Sequence, residues 1–313
     1  MLKIIEAYYA DKNVTEIVSN YVENNKISLL VSNDIFGDPQ PGIPKKLKVK
    51  YLKDNVLCEK DIKEDNIFFE DLNKPVVKFS VLTLTYRRYE ILQEAIKSFL
   101  DQDFDGECEM VIINDSPLTT YTTNENKIKI INCNTRFSSI GKKLEFGFSQ
   151  CKYEYIYRLD DDDLLLPWSL TLMKDYIENN PGYDIYRSAK HYGFVHNIFT
   201  GIGGNVNNGN IFTKNFINRI GVRDTNFGED NMAFDGNYLE QDLKKYTMIY
   251  RWGMNTYHIS GIDNKTKDDD FFSIIDNHSS DKENGNINIV GKFINDVNYY
   301  KPILEYHNNE LNN

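Results

Sequence analysis

From Val76 onward, apolar runs of β-forming residues alternate with apolar residues at helical spacing. Phe79-Ser80-Val81-Leu82-Thr83-Leu84-Thr85 is a continuous run, the pattern of a strand covered on both faces. Beyond Tyr86-Arg87-Arg88, the residues Ile91, Leu92, Ala95, Ile96, Phe99 and Leu100 form one stripe of an amphipathic helix. Met110 to Ile113 and Ile128 to Ile131 predict two more strands, and Ile140, Leu144, Phe148 and Cys151 step along a second helix face. Tyr155 to Leu159 predicts a fourth strand, and a helix from about Pro167 to Asn180 stops at Pro181-Gly182. Alternating strands and helices predict a mainly parallel sheet with helices on both faces. Ligands of such sheets sit beyond the carboxyl ends of the strands, so polar groups there are the candidates for function.

The flanks read differently. Residues 1–75 contain the strand-like Lys26 to Ser32, the turn-rich Gly37-Asp38-Pro39-Gln40-Pro41-Gly42, and Leu47-Lys48-Val49-Lys50-Tyr51, which alternates apolar and charged residues with period two. They predict a small β-rich domain, followed by a separate α/β domain over 76–262. Residues 263–313 form a polar extension in which Asp268-Asp269-Asp270 and His278 to Asn288 look like loop. Val290 to Tyr306 could form a helix or two packing back on the core.

Composition narrows the function classes. The 313 residues are 41% hydrophobic and 13% aromatic, enough to bury a sizeable core. The 36 Lys+Arg against 47 Asp+Glu give a net charge of -11, whose field repels nucleic acid but allows a small anion held through a metal. Cys58, Cys108, Cys133 and Cys151 have no CxxC spacing, so a reducing, cytoplasmic setting is expected. No apolar run approaches a membrane span, and charge interrupts the first residues too early for a secretory signal.

The fourth strand runs into Arg158-Leu159-Asp160-Asp161-Asp162-Asp163-Leu164-Leu165-Leu166-Pro167. Adjacent carboxylates at ~4 Å repel by about 1 kcal/mol in water and ~4 kcal/mol at a protein surface, and the apolar flanks limit their hydration. A divalent cation resolves the conflict, and hard oxygen ligands suit Mg²⁺, Mn²⁺ or Ca²⁺. An N-cap role for Asp162 or Asp163 is compatible with it. The second strand ends Asn114-Asp115-Ser116, either an Asx-turn or a carboxylate that accepts from a nucleobase or ribose. Thr85-Tyr86-Arg87-Arg88 offers an aromatic ring and cations for a base and a phosphate. Ser139-Ile140-Gly141-Lys142-Lys143 opens a helix whose free N–H groups and lysines would make an anion site.

These residues, in this order, resemble family 2 glycosyltransferases of the GT-A fold over roughly Val76 to Gly261. The first strand ends in Leu84-Thr85-Tyr86-Arg87-Arg88, like the family's Pro-Thr-Tyr-Asn-Arg turn. Asn114-Asp115-Ser116 stands for its Asp-Asp-Gly-Ser, with Asn in place of the first Asp. Ile140-Gly141-Lys142-Lys143 matches its lysine turn, though Leu144-Glu145 replaces the Arg-Asn that often follows. Leu159 to Pro167 carries its Leu-Asp-x-Asp-Asp signature, and Gly209-Asn210-Ile211-Phe212 with Gly228-Glu229-Asp230 fits its acceptor-side strand and Gly-Glu-Asp. Val14-Thr15, Phe36 to Pro39 and Lys46 to Tyr51 likewise resemble an accessory domain of unknown function.

The resemblance implies an α/β, Rossmann-like nucleotide-diphospho-sugar transferase fold with a mixed, mainly parallel sheet. It implies a metal-dependent inverting transfer from a nucleoside-diphosphate sugar, with UDP expected, to a hydroxyl of a glycan or glycoprotein. Asp160 and Asp162 would hold Mn²⁺ or Mg²⁺, with His258 completing the shell as a histidine C-terminal to the base, whereas His278 and His307 lie in the polar tail. Thr85, Tyr86, Arg87, Asp115, Lys143, Asp160 and Asp161 would bind the nucleotide. Arg251 would pair with phosphate. Asp230 would be the general base and Glu229 would orient the acceptor. The competing readings are a nucleotidyltransferase acting on sugar phosphates and a non-catalytic carbohydrate- or cation-binding protein. No nucleic-acid or membrane-spanning role is expected, and self-association is left open.

Overall fold

The structure is a computed structural model that describes residues 1–204, 206, 208–226, 235–241, 245–253, 283–294 and 297–310. The chain divides into two compact units, 1–76 and 77–313.

The first unit is built on the period-two alternation. Strands β1 (Leu2–Tyr9), β2 (Lys12–Asn13), β4 (Lys46–Lys53) and β5 (Val56–Lys63) form an antiparallel sheet in the order β2-β1-β4-β5. A separate pair joins β3 (Lys26–Leu30) to β6 (Ile67–Asp71), with short helices α1 (Thr15–Asn20) and α2 (Asn33–Phe36) between strands. Alternate residues Leu47, Val49 and Tyr51 of β4 turn into a core with Ile27, Leu29, Phe36 and Phe68, while the lysines between them face outward. Asp54 and Asn55 join β4 to β5 with φ of 50° and 67°, the left-handed pair that a tight hairpin requires. Buried Glu70 accepts from the Tyr51 hydroxyl at 2.7 Å and from Lys53 at 3.2 Å, so its charge is compensated.

The second unit follows the alternation predicted for it. Strands β7 (Phe79–Thr85), β8 (Cys108–Asn114), β10 (Ile128–Asn132) and β11 (Tyr155–Arg158) lie parallel in the order β10-β8-β7-β11. The sheet continues through antiparallel β16 (Ile211–Thr213) to β13 (Ile185–Ser188) and β17 (Tyr238–Gln241), giving seven strands. A second sheet, β12-β18-β14-β15, is made of β12 (Leu164–Leu165), β14 (His191–Val195), β15 (Ile198–Gly203) and β18 (Met248–Trp252). Helix α3 (Tyr89–Leu100) buries the predicted stripe Leu92, Ala95, Ile96 and Phe99, and α4 (Ile140–Gln150) buries Leu144 and Phe148. Helices α5 (Ser169–Asn179) and α6 (Lys214–Ile220) complete the layers.

The segment after 283, read from the sequence as a polar extension, is woven into this unit. Strand β19 (Gly285–Asn288) pairs in parallel with β9 (Thr119–Thr122), although its sequence shows no strand period. Ile289 joins the main core, and Tyr299 and Ile303, at the start of α7 (Tyr300–Glu310), pack with Leu164, Tyr192, Phe194 and Ile249. No helix among the described residues is long and apolar enough to cross a membrane.

Gly147 marks where α4 lies closest to the sheet: a Cβ there would stand 2.8 Å from Leu82 Cδ1 and 3.3 Å from Ile113 Cγ1. Gly147→Val should therefore destabilise the protein by about 1–3 kcal/mol, the usual effect of overpacking. Urea unfolding measures this, and an unchanged midpoint would refute such close packing.

Candidate active site

The chain leaves β7 toward the β10 edge and returns on its other side as β11, so strand order reverses between β7 and β11. The two pair in parallel, from Tyr155 opposite Phe79 to Arg158 opposite Leu82. Their carboxyl ends open onto the crevice where α/β sheets bind ligands. Into it β7 delivers Thr85 to Arg88 and β11 delivers Asp160 to Asp163. Arg87 has φ of 51°, a left-handed conformation that costs a residue with a side chain of order 1–3 kcal/mol and clusters at functional turns. Beside it, buried Glu283 accepts from the Tyr89 N–H at 2.9 Å and the Tyr121 hydroxyl at 2.6 Å. Burial pushes the Glu283 carboxyl above its usual range.

Each aspartate meets different partners. Asp160, with 37% of its side chain exposed, lies 3.3 Å from Arg158 Nη2. Asp161 and Asp162 are buried and share one guanidinium: Arg88 Nη1 donates to Asp161 at 2.9 Å and Nη2 to Asp162 at 2.8 Å. Asp163 is fully buried, accepting from the Arg251 N–H at 2.8 Å and from the Asn208 amide. Asn208 also accepts the Asp160 N–H at 3.1 Å, so one amide spans the turn. Carboxylate oxygens of Asp160, Asp162 and Asp163 lie within 4.8 Å of one another.

This arrangement is short of positive charge. Arg251 also donates to the Asp162 carbonyl and to the Glu94 carboxylate. Among the described residues, and with every acid ionised, five carboxylates (Asp160, Asp161, Asp162, Asp163 and Glu94) meet three guanidiniums (Arg88, Arg158 and Arg251), an excess of two negative charges. Burial, reinforced by Asp162 and Asp160, pushes the Asp163 carboxyl well above its ordinary range. Burial, opposed by Arg88, pushes Asp161 up as well. A deficit of two charges among hard oxygen donors fits one divalent cation.

Other expected residues take different places. Arg251, expected on phosphate, is 7% exposed and its guanidinium is committed inward to Glu94, the Asp162 carbonyl and the Tyr299 hydroxyl at 3.1 Å. Asp115 and Lys143 are buried against each other at 2.5 Å, and Lys143 also donates to the Thr85 carbonyl at 2.7 Å. Asp115 further accepts the Phe137 N–H at 3.1 Å. This pair ties the ends of β7 and β8 to α4. Tyr86 carries the Arg136 guanidinium 4.1 Å from its ring centroid, a cation–π contact beside the turn.

The start of α4, expected as an anion site, is filled by the chain itself. The Ile140 N–H donates to Asn226 Oδ1 at 2.9 Å, the Gly141 N–H to the Thr225 carbonyl at 3.0 Å, and the Ser139 hydroxyl to Asp224 at 2.6 Å. These groups satisfy the first-turn donors that a phosphate would need. Glu229, Asp230 and His258 lie outside the described residues. Sequence reasoning placed Arg88 in the first turn without its contacts to Asp161 and Asp162, and missed Asn208, Glu94 and Glu283 as members of the site. Of these four, only Arg88 carried a signal.

Residues 80–233 match the model of Glycosyl transferase family 2. This part of the chain, 154 of the 313 residues, is similar to glycosyltransferase family 2. Its seven-stranded sheet and switch-point crevice are those of the GT-A fold. A Campylobacter jejuni protein, GalNAc(5)-diNAcBac-PP-undecaprenol beta-1,3-glucosyltransferase, is 34% identical over 115 residues, covering 34% of this chain and 36% of that protein. The chain thus matches about a third of that relative's length. Staphylococcus aureus TarS 1-349 in complex with UDP-GlcNAc is similar with a TM-score of 0.49 and 17% identity, over 63% of this chain and 64% of that one. Its complex with UDP gives 0.45 and 15% over 64% and 70%.

A Cβ on Gly141 would stand 1.9 Å from the Arg223 carbonyl oxygen. Gly141→Ala should lift 223–226 off the helix start, exposing the Ile140 and Gly141 amides to faster hydrogen exchange. Unchanged exchange at those amides would contradict the docking described.

Proposed function

We propose that this protein is a divalent-cation-dependent glycosyltransferase moving a sugar from a nucleoside-diphosphate sugar, UDP-linked, to a hydroxyl of a glycan or glycoprotein. The observation that carries the reading is the under-neutralised aspartate cluster at the switch point between β7 and β11. The family match of residues 80–233 supports the donor class, and a Campylobacter jejuni relative named for transfer onto a glycan supports a sugar acceptor. The four free thiols support a cytoplasmic setting.

Asp160, Asp162 and Asp163 would hold Mn²⁺ or Mg²⁺, and His258 would add an imidazole that favours Mn²⁺. Such an ion, when bound, supplies Lewis acidity that offsets charge on the departing diphosphate. The chain's own groups do the rest. The Asn208 bridge between Asp160 and Asp163 and the Arg251 N–H set the carboxylates in place before substrate arrives, which lowers the reorganisation needed for transfer. Thr85, Tyr86 and Arg87 present the first turn to the nucleotide. The Asp115–Lys143 pair braces that turn from below through the Thr85 carbonyl. Asp161 would face the nucleotide beside Asp160. Asp230 would take the proton from the acceptor hydroxyl as it attacks the anomeric carbon from the face opposite the diphosphate. That single displacement inverts the configuration. Glu229 would orient the acceptor.

Incubation with Mn²⁺ and a panel of nucleotide sugars tests the class. Release of nucleoside diphosphate is expected. Consumption of pyrophosphate would make the protein a nucleotidyltransferase, and silence with every donor would make it a binding protein. Asp162→Ala should abolish Mn²⁺-dependent binding of the nucleotide sugar in calorimetry, and retained affinity would remove the metal assignment. Asp230→Asn should keep donor binding while transfer falls ~10²-fold or more; near-normal turnover would take Asp230 out of the base role.

A further inference from the structure

The Arg88 fork is a contact that the proposed reaction does not use. Its side chain is 8% exposed and grips Asp161 and Asp162, themselves 4% and 7% exposed, with one terminal nitrogen on each. A guanidinium so placed does electrostatically what a metal ion would do, since it brings positive charge to two adjacent buried carboxylates. It also occupies an oxygen of Asp162, a member of the cluster with Asp160 and Asp163. The arginine comes from a turn under tension: Arg87 before it has a left-handed φ of 51°, and Tyr89 after it is held by Glu283. Arg88 itself has φ −136° and ψ 44°, outside the helix it precedes. The backbone therefore aims this side chain across the crevice from β7 to β11.

We propose that Arg88 is the resident counter-ion of the aspartate cluster, holding Asp161 and Asp162 in place without a divalent ion and opposing that ion at Asp162. The inference rests on the metal reading above. Two cations on one carboxylate repel each other at short range, so Arg88 weakens binding of the ion by itself. A nucleoside diphosphate brings negative charges that accommodate both cations. Ion and nucleotide then bind with positive coupling, which thermodynamics makes reciprocal.

The test is Mn²⁺ titration of the whole chain, following the free-ion electron paramagnetic resonance signal with and without UDP. Wild type should bind Mn²⁺ weakly alone and more tightly with UDP. Arg88→Met should bind Mn²⁺ alone about ten-fold tighter or more, as expected on removing a full charge next to the ion, and lose most of the UDP enhancement. It should also melt lower than wild type without metal and recover with Mn²⁺, a pattern that merely lost packing would not give. Unchanged or weaker Mn²⁺ affinity in Arg88→Met overturns the proposal. Should that variant fail to fold, Arg88→Gln decides, since it removes the charge but keeps an amide that can donate to the carboxylates. Several-fold tighter Mn²⁺ binding supports the proposal and no change overturns it. The two readings fail separately. Wild-type Mn²⁺ binding that survives Asp162→Ala removes the metal reading, whereas binding lost in Asp162→Ala but unmoved in Arg88→Met removes only the role of Arg88.

Discussion

Buried negative charge is the constraint around which the second unit is arranged. Asp161, Asp162 and Asp163 sit between two apolar runs with little access to water, where an uncompensated carboxylate is expensive. Nearly every unexpected contact in the crevice answers that expense. Arg88 reaches from β7, Arg251 from β18 and Asn208 from the segment before β16, each bringing a donor to an oxygen that water does not reach. Among the described residues, what remains after these contacts is a shortfall of positive charge. A structure that only needed stability would have replaced such aspartates with apolar residues.

The sheet topology explains why the shortfall lies where a ligand can use it. Because β7 and β11 are neighbours but far apart in the chain, their carboxyl-end turns separate and leave a crevice. The second sheet then closes one side. β12 follows the aspartates directly and pairs with β18, which places the Arg251 N–H against Asp163. Glu94, on a helix otherwise packed by its apolar stripe, is buried to receive the Arg251 side chain. A substitution in the small sheet would therefore reach the cluster through Arg251 rather than through the aspartates themselves.

Local pattern made the scaffold legible. The doubly covered run of β7, the α3 stripe and the strand Tyr155–Arg158 with its following aspartates could be placed because neighbours in sequence decide them. The carboxylates were visible for the same reason: four in a row between apolar residues is a local conflict. Their partners were not. Arg88 and Asp162 are 74 positions apart, and Arg251 and Asp163 are 88 apart, and no periodicity encodes such a meeting. Two sites read from local chemistry meet partners that the sequence did not show. Arg251 donates to buried Glu94, and the α4 start bonds to Asp224 and Asn226. β19 escaped notice because the polar Gly285–Asn288 is a strand only through its pairing with β9.

The account stands or falls on whether a divalent ion sits among the carboxylates of Asp160, Asp162 and Asp163. Crystals grown with Mn²⁺ and UDP, with diffraction collected on both sides of the manganese absorption edge, address this directly. The account predicts one strong anomalous peak within coordination distance of those carboxylates and of the diphosphate oxygens. Nucleotide bound in the crevice with no anomalous peak among the aspartates would contradict it.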